Sequence, residues 1–147
     1  MAVIVATGSM NTTRFGTAGN ATPNETAVAV PGTSTANLST AQAGNGPSTN
    51  VVDRGGSVGP VLLRLTTAVG ATPTCTYAVE GSPDGVNFFP VQYADSASPQ
   101  TLVITTFVIS SAVTALKLVP ANIPVRFLRV TYSANTNVTN TLDAFVY

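Results

Sequence analysis

The chain has no histidine and no tryptophan, a single cysteine, and only 8% charged residues, six basic and six acidic, among its 147. Without histidine it loses the commonest general base, the usual metal ligand and every Ser-His or Cys-His nucleophilic arrangement. No catalytic, cofactor-binding or metal-binding residue is therefore expected, and no enzyme. One cysteine excludes an intrachain disulfide and suits synthesis in a reducing cytoplasm. The neighbours of Cys75, Thr74, Thr76 and Tyr77, supply no cation to lower its pKa, so it reads as a small buried hydrophobe. Zero net charge gives phosphate no electrostatic attraction, and nucleic acid is not an expected partner. No apolar run approaches the length of about 18 residues that marks a membrane span. The opening MAVIVATGSMNTTRFG lacks the basic region and long apolar core of a secretion signal. The Asn-x-Ser/Thr triplets at Asn11, Asn20, Asn24, Asn37 and Asn137 are accordingly expected to be unglycosylated.

Hydrophobic residues nevertheless make up 44% of the chain. Its length suits one domain. So little charge on so apolar a chain points to burial of much of its surface in an assembly, because few charges remain to keep a lone copy soluble.

Two regions differ in character. Residues 1–57 are rich in Ala, Thr, Gly, Asn, Ser and Pro, with β-prone pieces only at VIVAT and TAVAVP and hinge signals at GNGPS and DRGGS. Fixing each backbone residue costs about 1–2 kcal/mol, and this segment has little apolar surface to offset that. It is read as an extended N-terminal arm that orders against adjacent subunits, adding a strand to an exposed sheet edge. On that reading, removing residues 1 to about 50 leaves the remaining domain folded.

Residues 58–147 alternate with period two. VGPVLLRLTTAV places Val61, Leu63 and Leu65 on one face and Leu62, Arg64 and Thr66 on the other. Further strands are expected at residues 101–110, 115–120 and 125–134 and over VTNTLDAFVY, with turns at GATPT, SPDG, ADSASPQ, PANIP and ANTNVTN. Six or seven strands so connected predict an all-β antiparallel sandwich or jelly roll without long helices.

The stretch CTYAVEGSPDGVNFFPV raises the one question of chemistry, because Glu80 and Asp84 lie four residues apart. Ser82, Pro83, Asp84 and Gly85 suit a type I turn closed by a left-handed glycine, a three-residue hairpin loop with a G1 bulge. That register sets Val79 opposite Phe89, Tyr77 opposite Val91 and Cys75 opposite Tyr93, leaving Glu80 outward and Asp84 at the tip. An acid–base pair needs a cleft and one carboxyl raised by burial, which these positions do not provide. Arg126 and Arg129 fall on opposite faces of their strand, and an ion pair with Asp143 is expected in place of an anion site. The outward positions Phe88, Phe127, Arg129, Phe145 and Tyr147 form the candidate interface.

Two segments resemble small β-sandwich structural proteins of tailed bacteriophages. VEGSPDGVNFFPV is similar to their strand, Gly-Ser-x-Asp-Gly hairpin and aromatic strand, and VRFLRVTYSANTN to the Arg-[Phe/Tyr]-Leu-Arg-Val-x-Tyr strand downstream; together they cover about thirty residues. The likeness is greatest to capsid decoration (cement) proteins. It implies a non-enzymatic sandwich on the capsid exterior, commonly a homotrimer, bridging subunits of the major capsid protein, with a terminal arm reaching neighbours. A tail, baseplate or neck component is the alternative within the virion. A carbohydrate-binding module using exposed aromatics is the alternative outside it.

Overall fold

In the computed structural model, residues 34–55 and 59–147 are described. They form ten strands: β1 (Ser34–Gln42), β2 (Gly46–Pro47), β3 (Val52–Asp53), β4 (Val61–Ser82), β5 (Phe89–Pro90), β6 (Tyr93–Asp95), β7 (Ser98–Val103), β8 (Phe107–Ile109), β9 (Thr114–Val119) and β10 (Phe127–Val146). The class is all-β and every pairing is antiparallel. Among the described residues there is no helix, and so none long and apolar enough to cross a membrane.

The fold is organised by two long strands. β4 and β10 pair from Phe127↔Ser82 to Val146↔Val61. Midway their alternation lapses, the register shifts between Ser133 and Thr136 and again between Thr136 and Val138, and Thr72, Ala134 and Asn137 take positive φ. Extra residues and left-handed backbone bend a strand sharply. The ladder folds over here, and each side of the fold recruits its own partners. The first half of β4 and the last half of β10 carry β9 and β1, with β6 and β7 beyond β9. The other half is flanked by β2, β3, β5 and β8.

The two halves close on one core. From β4 come Val61, Leu63 and Leu65 on one side of the bend and Cys75, Tyr77 and Val79 on the other; from β10 come Leu128, Val130 and Tyr132, then Val138, Leu142 and Ala144. All are buried, each on the parity that the period-two pattern predicts. Contacts across the core show the closure. Tyr77 OH donates to Asn140 Oδ1 at 2.7 Å, and Tyr132 OH donates to Ser39 Oγ at 3.0 Å. In turn Asn140 Nδ2 reaches the Gln42 carbonyl and Ser39 Oγ reaches Gln42 Oε1. Buried hydroxyl and amide groups need such partners, and here the partners specify how the halves meet.

Three expectations change. First, residues 34–55 are not arm: β1, β2 and β3 hydrogen-bond to β10, and Leu38 and Val52 sit in the core. Low-complexity composition concealed strands whose few apolar residues fall on the inward parity. The rest of the arm, residues 1–33, lies outside the described residues, as do 56–58. Second, residues 101–110 are two strands, because the chain leaves β6 after Val103 and joins β4 at Phe107. Third, ANTNVTN is the bend inside β10 and no hairpin turn; its Asn135 side chain accepts from the Val138 amide and donates to the Ala43 carbonyl, holding the bulge within the ladder.

Candidate interaction surface

The Ser82 loop shows how local chemistry displaces a register. Gly85 is left-handed, with φ of 78°, and its Cα side lies against the Phe127 ring. Ser82 Oγ donates to Asp84 Oδ1 at 2.7 Å and accepts from the Gly85 amide at 2.9 Å. Asp84 also accepts from the amides of Val86 and Asn87 and from Asn87 Nδ2, so the loop continues past the expected three residues. These bonds hold the Asp84 carboxyl well below the ordinary carboxylate range, the Asn87 amide foremost. Pairing resumes at Gly81↔Phe89 and Glu80↔Pro90, and the Val91 amide donates to the Val79 carbonyl. The register is thus two residues from the one expected. A shift of two keeps parity, so Val91 and Tyr93 remain buried, but Phe89 is carried past the inner face and is 47% exposed. Gly81 permits this: methyl groups of Val91 and Val125 occupy the space beside its Cα. The hairpin also ends early, because Cys75–Tyr77 pairs with β8 and β6, which starts at Tyr93, leaves for β9 and β7.

Glu80 and Asp84 are therefore separately engaged. Glu80 Oε2 accepts from Arg129 Nε and Thr131 Oγ1, both at 2.8 Å, while Asp84 serves its own loop. The expected pairing of Arg126 or Arg129 with Asp143 does not form. Asp143 lies beyond the bend in β10, where Arg64 and Asn37 reach it at 2.8 and 2.9 Å. Arg126 instead grips Asp53 with two bonds of 2.8 Å, which lower that carboxyl to about 2.

The five candidate interface residues do not form one patch. Phe127 and Arg129 lie on the outer side of the half built on the start of β10; Phe145 lies on the outer side of the opposite half; Tyr147 follows the last strand and is 44% exposed. Each phenylalanine carries a guanidinium over its ring: Arg129 over Phe88 at 3.8 Å, Arg126 over Phe127 at 5.0 Å and Arg64 over Phe145 at 5.1 Å. Rings capped in this way offer no ready platform for a sugar.

The two outer faces differ in chemistry. One carries the Arg129–Glu80 and Arg126–Asp53 pairs. On the other, cross-strand pairing lines up Phe145, Leu62, Leu118, Ala94 and Leu102 in a single row across β10, β4, β9, β6 and β7. Among the described residues, its charges are the paired Arg64 and Asp143. Sequence reasoning placed Leu62 on this side but named Phe145 alone from the row as candidate interface. The signal was available in VLLRL and ALKL, which are apolar at both parities where a one-sided strand would alternate.

Buried polar groups are structural. Lys117 is paired with Asp95 and lies 4.3 Å from the centre of the Phe107 ring. The Arg54 guanidinium donates to the carbonyls of Gly59, Ala121, Ile123 and Val125, stitching β3 to the loop before β10, and forms part of the wall of a 360 Å³ pocket with Pro83 and Arg126. Burial raises the Cys75 thiol above its ordinary pKa. No group of three His, Cys, Asp or Glu side chains is placed to hold a metal among the described residues.

No protein-family model matches the chain, and no curated protein matches it in sequence. In three dimensions it is similar to the crystal structure of the SPBc2 prophage-derived protein YomS, with a TM-score of 0.55 over 80% of this chain and 96% of that one, at 9% sequence identity. The likeness spans nearly all of YomS and is a likeness of fold.

Proposed function

We propose that this chain is a non-enzymatic structural protein of a phage virion, which decorates the capsid exterior and bridges subunits of the major capsid protein. The observation that carries the reading is a fold shared with a prophage-derived protein, built on a domain poor in charge, whose few described charges are mostly tied into internal pairs. Such a surface suits broad packing against other proteins. Stabilisation would arise from many modest contacts acting together at high effective concentration, with the segment ahead of β1 reaching adjacent subunits. The protein would act as a homo-oligomer.

Quantitative mass spectrometry of purified particles tests this. A decoration protein occurs in hundreds of copies per particle, in proportion to the major capsid protein. A tail, baseplate or neck component occurs in a few to tens, and absence from particles refutes both.

A further inference from the structure

The row of Phe145, Leu62, Leu118, Ala94 and Leu102 crosses five strands on the side of the sheet away from the core. We propose that two copies of this chain pack face to face through this side about a two-fold axis. Three features select a second copy as the occupant.

The first is charge. An isologous contact sets a surface against itself, so any unbalanced charge meets its like. Among the described residues this face carries one cation and one anion, side by side on paired strands, Arg64 opposite Asp143. A two-fold axis beside them sets Arg64 of each copy near Asp143 of the other, and the face becomes complementary to itself. Arg64 is suited to a shared role, since only one donor nitrogen is engaged by Asp143 and its side chain is 47% exposed. The opposite outer face, with at least the four charged residues of two described pairs, has more to desolvate on association.

The second is area. Six strands at about 4.8 Å spacing and about six residues at about 3.3 Å, with β6 contributing only three, give a face of at most roughly 24 by 20 Å, about 400 Å² in plan. That is of the order of the 800 Å² or so of accessible surface that each partner contributes to a standard interface. The third is shape. Ala94 is buried between larger neighbours while Leu102 is 42% exposed, so the row is stepped, and two sheets packed about 10 Å apart interdigitate through such relief.

Sedimentation velocity of the full chain alone, from micromolar to hundreds of micromolar, tests the proposal without reference to any particle. A reversible species of twice the monomer mass is expected. Leu102→Glu, at an edge position already exposed, should leave the unfolding midpoint nearly unchanged and raise the dimer dissociation constant at least tenfold. Arg64→Asp should weaken the dimer similarly, and adding Asp143→Arg to it should restore association. A monomer throughout the range, a trimer, or a dimer indifferent to both Leu102→Glu and Arg64→Asp would overturn the proposal. Failure here leaves the virion reading intact, because that reading is decided by particle composition.

Discussion

Deleting residues 1–50 and deleting residues 1–33 should have very different consequences, although sequence composition treats both segments alike. The longer deletion removes β1 and β2. Leu38, fully buried, would lose a burial worth about 1.5–3 kcal/mol. Tyr132 OH would lose Ser39 and Asn140 Nδ2 would lose the Gln42 carbonyl, each left inside the core at a cost of about 1–3 kcal/mol. The ladder from Ser34↔Val146 to Gln42↔Asn140 would vanish and leave that edge of β10 unpaired. Together these reach roughly 5–10 kcal/mol, comparable with the whole stability of a typical domain of about 5–15 kcal/mol. Urea unfolding followed by near-ultraviolet circular dichroism of the buried tyrosines is the assay. The 34–147 chain should unfold cooperatively, and the 51–147 chain should lack a native tyrosine signal. Equal midpoints for the two would refute the assignment of residues 34–50 to the core.

Three further outcomes follow from the geometry. Gly81→Ala would place a methyl group 2.8 Å from methyls of both Val91 and Val125, and should cost about 1–3 kcal/mol in urea unfolding through overpacking. Tyr77→Phe leaves Asn140 Oδ1 buried without its donor, and should cost about 1–3 kcal/mol, whereas Phe127→Leu on the outer side should cost less. Asp53 is held at about 2 by Arg126, below its ordinary range, so its contribution is present above pH 4 and is lost as pH falls toward 2; Asp53→Asn should flatten the acid side of the melting-temperature profile, and an unchanged profile would contradict the pairing.

The alternation in VLLRL, CTYAV, RFLRVTY and NTLDAFV disclosed the class of fold and most of the core, because inward parity is set by the pleat and survives any choice of neighbour. Strand boundaries were less legible. Whether ANTN ends one strand or bends a longer one depends on what the other side of the bend pairs with, and local sequence does not carry that. Leu38 was hidden for a related reason: STANLSTAQ has one large apolar residue, and it becomes a strand only because β10 presents an edge to it. At the surface, outward parity was correct for Phe127, Arg129 and Phe145, yet the fold places them on opposite sides of the molecule. Ion pairs followed register: Asp143 sits across from Arg64, and Arg129 across from Glu80.

The central claim is that this domain occupies the outer surface of a capsid shell. A map of the native particle by electron cryomicroscopy tests it most directly. The account predicts a sandwich-shaped density on the exterior, repeated with the lattice of the shell and touching more than one major capsid protein subunit. Density for the domain at the tail alone, or at no position on the particle, would contradict it.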